Sequence, residues 1–184
     1  MPRRHPVITL FGSARPPPGS AAWRQAYTVG KLLAQRGCTV CNGGYGGTMA
    51  AAAAGAKAAG GRTIGITFEQ SHQRANRYLD REERKPTLVG RLERLVTIAD
   101  GFIVFPGGTG TLLEVSFVLE YTQKHLLRPK PMVLLGSFWR RTVEQARRES
   151  PSERCRIYYA RTPQAAVTTV WRLVRKGSVH GRDP

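Results

Sequence analysis

Acidic residues are scarce in this sequence: 12 Asp and Glu stand against 29 Lys and Arg, a formal net charge of +17. Such an excess implies an anionic partner or merely an arginine-rich proteome, and it favours nonspecific contact with nucleic acid. The arginines are nevertheless spread from Arg3 to Arg182. They form no basic helix with interleaved aromatics and no recognisable nucleic-acid motif, so specific nucleic-acid binding is not expected and a solvated basic surface is. Cysteine is also sparse, with three residues, Cys38, Cys41 and Cys155. The C-x-x-C of "CTVC" falls in a strand-like stretch, where its two side chains point to opposite faces; that favours a buried, reduced pair over a redox motif or a zinc site. No apolar run approaches the roughly 18 residues of a membrane span. The apolar run after "MPRRHP" is too short for a signal-peptide core and lacks a cleavage site. A cytoplasmic protein that does not enter a membrane is the expectation.

What is present is an alternation of short apolar runs with helix-length segments, the pattern of a parallel sheet wrapped by helices. At 184 residues one domain, 1–184, is expected, with a short basic tail from about residue 176. The strands are read as "VITLF", "TVC", "TIGIT", "GFIVF" and "PMVLL", with a further short one at "RIYYA". Thr48 is placed as the N-cap of the alanine-rich helix, and the last helix is read from Pro163 to about Arg175. The segment Phe68 to Pro86 shows no periodicity. It is read as a functional lid or mobile excursion, whose Arg74, Arg77, Arg81, Arg84 and Lys85 would draw anions to the site.

In an open parallel sheet, ligands bind at the carboxyl ends of the strands. Three chemistry-bearing stretches converge there: Gly12 and Ser13 in "GSAR", Gly43, Gly44 and Gly47 in "NGGYGGT", and Gly107, Gly108, Thr109, Gly110 and Thr111 in "PGGTGT". The last two lead into helix N-termini, where bare backbone N–H groups and the helix dipole favour a phosphate. Either loop alone could be a plain strand-to-helix turn. Neither is a Walker A loop, and neither has dinucleotide G-x-G-x-x-G spacing.

Chain direction places Arg91 beside this edge, because its helix must run back antiparallel to the following strand; Arg94 lies a turn further away. Glu114 sits about one turn inside the helix after the cradle. There the dipole is expected to keep it ionised, a good base and a poor acid, facing a sugar rather than the phosphate. As a plain helix charge it would matter little. The helix "LLEVSFVLEYTQ" is apolar on more than one face, which is met either by a partner subunit or by burial under the C-terminal helix.

"PGGTGTLLE" resembles the PGG-x-GT-x-x-E signature of the LOG (Lonely Guy) family, and the similarity extends from about Val7 to Val174 through Gly12-Ser13, Gly47-Thr48-Met49, the Arg91 helix and "ADGFIVFPGG". The resemblance implies a Rossmann-like open parallel sheet with helices on both faces. It also implies hydrolysis of a purine nucleoside 5'-monophosphate, AMP or an N6-modified cytokinin-type AMP, with Glu114 and Arg91 catalytic, a phosphate loop at Gly107 to Thr111, no metal or redox cofactor, and a homodimer or higher homo-oligomer. The chain departs from the family pattern at Val89 and Leu92, where histidine and lysine are common, at Leu113 before Glu114, and at Asn42 in place of a third glycine. Related branches include molybdenum-cofactor carriers and DNA-processing proteins, so a non-catalytic nucleotide or cofactor carrier is the alternative.

Overall fold

A computed structural model describes residues 5–151 and 154–180. Among the described residues six helices and seven strands follow one another: β1 (Val7–Phe11), α1 (Ala21–Gln35), β2 (Thr39–Asn42), α2 (Gly47–Ala58), β3 (Thr63–Phe68), β4 (Arg81–Lys85), α3 (Leu88–Ile98), β5 (Gly101–Val104), α4 (Thr109–Gln123), β6 (Met132–Leu135), α5 (Arg140–Glu149), β7 (Ile157–Ala160) and α6 (Pro163–His180). The strands form one sheet in the order β4-β3-β2-β1-β5-β6-β7, with every neighbouring pair parallel. The chain builds outward from β1 to β4, then returns to add β5 on the other flank of β1. Loops leaving β1 and β5 therefore diverge to opposite faces and open a crevice at their carboxyl ends.

Period-two alternation assigns the two faces. Ile8, Leu10, Val40, Ile103, Val133 and Leu135 point into one core layer with α1, α2 and α6, while Phe11, Cys41, Phe102, Val104, Met132 and Leu134 point into the other with α3, α4 and α5. Cys38 and Cys41 fall in opposite layers as the spacing demands, and both are free thiols. Burial pushes the Cys38 thiol up to about 11 and the Cys41 thiol to about 12, so neither is a nucleophile at neutral pH. The alanines of α2 serve close packing: Gly30 of α1 lies against the backbone of Ala52, and Gly55 of α2 against that of Tyr27, where no side chain fits. Among the described residues no helix is long and apolar enough to cross a membrane.

Four expectations need correction. The irregular segment after β3 contains a strand, β4, whose sequence "REERK" has no apolar residue and so no apolar alternation to detect. It is held by parallel pairing to β3 and by Glu83, which accepts hydrogen bonds from Arg94 Nε and Nη2 at 2.7 and 3.0 Å. Those bonds hold the Glu83 carboxyl below its usual range. An all-charged edge strand also resists pairing with another chain. Because Arg81 pairs with Ile64 near the start of β3, it lies at the end of the sheet opposite the crevice, so the basic residues do not form one lid. Thr48 is inside α2, whose N-cap is Gly46. The last helix, α6, runs on to His180, past the Arg175 at which it was expected to end. Finally, α6 packs on the α1 side of the sheet and α4 on the other, so α6 does not cover the surplus apolar face of α4.

Candidate functional site

The crevice at the β1–β5 switch point is a cleft of about 630 Å³ lined by Gly12, Ser13, Ala14 and Arg15 after β1, and by Gly107 to Thr111 after β5. Helix α4 begins at its floor. Its N-cap is Gly108, with no side-chain cap, and the first intrahelical bond is Leu112 N to Gly108 O at 3.0 Å. The N–H groups of Thr109, Gly110 and Thr111 precede that bond and leave the helix end towards the cleft. A Cβ at Gly108 or Gly110 would meet no protein atom within 4 Å, so packing does not explain their bareness. Gly107, by contrast, makes room for the Thr111 side chain.

The other glycine loop is built differently. At the start of α2, Thr48 donates both its backbone N–H and its hydroxyl to the Ser13 carbonyl, at 2.9 and 3.0 Å. Gly47, at φ +59°, lies directly on the Ser13–Ala14 backbone, so this helix end is filled by the chain itself. Gly43, Gly44 and Gly47 do not line the cleft, whereas Gly12, Ser13 and Gly107 through Thr111 do. Asn42, fully buried, braces this loop: its carboxamide accepts from Gly44 N at 2.8 Å and donates to Met49 O at 3.2 Å. That is the physical use of the amide where a third glycine was the family expectation.

Arg91 and Glu114 meet at the cleft wall. Arg91 is the fourth residue of α3, and Glu114 the sixth of α4; Nη1 lies 3.5 Å from Oε1, and each residue is only 7% exposed. The guanidinium is fixed on several sides. Its Nε donates to Ile66 O at 2.8 Å, and the rings of Tyr45 and Phe68 lie 5.6 and 6.0 Å from its central carbon. Gly43 leaves the space its Nη2 occupies. Tyr45 is itself held, its hydroxyl accepting from Phe68 N at 3.2 Å. Burial raises the Glu114 carboxyl from its ordinary 4.5 to about 7, with Arg91 pulling the other way. This corrects the expectation of a carboxylate kept ionised by the helix dipole. The dipole acts within the first turn, Glu114 lies beyond it, and desolvation exceeds the attraction of Arg91. A carboxyl that is half ionised near neutrality can act as acid or base.

The sequence reading missed the remaining lining: Ala14, Arg15, Tyr45, Met49, Phe68, Ser71 and Gln73. Arg15 was visible in "GSAR" beside residues already singled out. Ser71 and Gln73 were not visible, because what brings them in is Asn76, which ties the β3–β4 connection to the α2 loop through Gly44 O at 2.8 and 3.0 Å and Tyr45 O at 3.0 Å. Among the described residues there is no cluster of three or more metal-ligating side chains.

This architecture recurs in known proteins. A molybdenum cofactor binding protein from Rippkaea orientalis superposes with a TM-score of 0.76 at 26% identity, covering 93% of this chain and 98% of that one. DNA processing protein A from Streptococcus pneumoniae superposes at 0.63 with 14% identity, over 90% of this chain and 62% of that one, a likeness of fold alone. Among sequence relatives, an uncharacterized protein of Archaeoglobus fulgidus is 32% identical over 126 residues, 67% of this chain and 82% of that protein. A cytokinin riboside 5'-monophosphate phosphoribohydrolase of Mycobacterium tuberculosis is 38% identical over 93 residues, 49% of this chain and 50% of the enzyme's length. The SLOG cluster4 family model matches residues 5–167, nearly the whole of the sheet and its helices, and the chain belongs to that family.

Proposed function

We propose that the protein hydrolyses the N-glycosidic bond of a purine nucleoside 5'-monophosphate, with or without an N6 substituent, to the free base and ribose 5-phosphate. The observation that carries this is the buried Arg91–Glu114 pair opening into the same cleft as the uncapped, bare-glycine end of α4. The phosphate accepts from the N–H groups of Thr109, Gly110 and Thr111, and the ribose lies towards Glu114. As the C1'–N bond lengthens, its electron pair moves to the base and positive charge grows on the sugar ring, where an ionised Glu114 stabilises it. Water then bonds C1', its proton passes to the Glu114 carboxylate, and the departing base takes a proton from solvent. Arg91, held rigid by Ile66 O, Tyr45 and Phe68, keeps ribose and phosphate oxygens in place and fixes the carboxylate. The match to the Mycobacterium tuberculosis phosphoribohydrolase supports the reading.

Chromatography of AMP and of N6-substituted AMP incubated with the purified protein tests it: free base and ribose 5-phosphate are expected, and no base from a panel of nucleotides would overturn it. The second reading, a carrier that binds a nucleotide-like cofactor without turnover, is favoured by the molybdenum cofactor binding protein matching over nearly its full length. It requires binding that Glu114→Gln leaves intact and no base release by the wild type.

The protein is further proposed to act as a homodimer. Leu88 and Val89 at the start of α3, and Leu112 and Leu113 on α4, are 39%, 60%, 37% and 42% exposed. They adjoin the cleft residues Arg91, Thr111 and Glu114 in sequence, so a second copy covering them would border the site.

A further inference from the structure

The charged side chains lining the cleft are Arg15, Arg91 and Glu114. Arg91 is held inside the cleft wall and shares its charge with Glu114: its Nε is bound to Ile66 O, its Nη1 faces Glu114, and two aromatic rings lie against it. Arg15 is different. It is exposed at the cleft mouth, and among the described residues its guanidinium meets no carboxylate. Its backbone is nevertheless held, with Arg15 N donating to Ser13 Oγ at 3.1 Å. Pro16, Pro17 and Pro18 follow, so the chain leaving Arg15 is stiff, and the residue before a proline is confined to extended conformations. A fixed Cα with an uncommitted guanidinium, across the cleft from bare N–H groups, is the arrangement of a clamp.

We propose that Arg15 is the specificity residue for the 5'-phosphate, closing over the anion from the β1 side while the α4 N-terminus holds it from the β5 side. The inference rests on the nucleotide reading of the cleft and adds to it. A helix end carries the equivalent of about half a positive charge, which leaves a dianionic phosphate undercompensated. A guanidinium supplies both the missing charge and a planar pair of donors matched to two phosphate oxygens. The protein therefore selects phosphorylated nucleotides over nucleosides through a residue outside the glycine signature.

The test is calorimetric binding of AMP, adenosine and inorganic phosphate to the wild type, Arg15→Gln and Arg15→Lys. Arg15→Gln is expected to weaken AMP and inorganic phosphate by about 10- to 100-fold, the range of a charge-assisted hydrogen-bonded pair. Adenosine affinity stays unchanged, and Arg15→Lys restores part of the loss. Equal AMP affinity in Arg15→Gln, or a matching loss for adenosine, would overturn the assignment. If the wild type binds inorganic phosphate through Arg15 but neither AMP nor adenosine, the clamp stands and the nucleotide reading falls. If the wild type binds no phosphate at all, the clamp falls.

Discussion

Replacing Glu114 with glutamine should stabilise the protein, and by an amount that depends on pH. The carboxyl titrates near 4.5 in an unfolded chain and near 7 in the folded one because burial disfavours its charge. Between those values the folded state binds the extra proton, so stability falls as pH rises and the whole penalty is present above 7. A difference of about 2.5 units at about 1.36 kcal/mol each is about 3 kcal/mol. Glutamine resembles the protonated form and carries none of it. The stability of Glu114→Gln relative to wild type should therefore grow by about 2.5 kcal/mol from pH 5 to pH 8, with a melting-temperature gap widening by roughly 5–10 °C for a domain of this size. Any constant packing difference of the amide cancels, as do the other titrating groups. Urea unfolding of both proteins at several pH values reads the quantity directly. A stability difference flat in pH would refute the argument, and one that grew towards acid would mean that Arg91, not burial, dominates the carboxyl.

The same raised carboxyl predicts that kcat for base release climbs with pH to a plateau, with a midpoint near 7, since the ionised form is the one that stabilises the sugar cation; a midpoint near 4.5 would contradict it. Gly43→Ala places a methyl where the Arg91 guanidinium lies, so the protein should still fold while Arg91 shifts from Glu114, the kcat midpoint moves upward and turnover falls at least tenfold; an unchanged profile would show that the Arg91 position is not critical. Gly110→Ala meets no protein atom and lies in the first turn of α4, so it should raise stability by up to about 1 kcal/mol while lowering affinity for AMP; unchanged affinity would remove the bare-backbone argument. Light scattering should give twice 20.3 kDa, and Val89→Glu with Leu113→Glu should give a monomer; a wild-type monomer would refute the dimer.

The parallel sheet was legible in the sequence because its central strands are buried on both faces and therefore written as apolar runs, from "VITLF" to "PMVLL". The glycine-bearing end of the cleft was legible too, since a strand followed by bare glycines and a helix start is a local pattern. Arg91 and Glu114 could be brought to one edge by chain direction alone. Their separation, their burial and the sign of the shift on Glu114 could not, because desolvation depends on what α3, α4 and the β3–β4 connection exclude from water, which no local pattern records. β4 was hidden for a related reason: an edge strand of "REERK" is specified by its partner β3 and by Arg94, not by its own hydrophobicity. The two glycine loops read alike in one dimension. Only the packed structure decided that the backbone of Ser13 occupies the end of α2 while the end of α4 stays open, because a helix terminus must find acceptors somewhere and the chain reaches only one of the two.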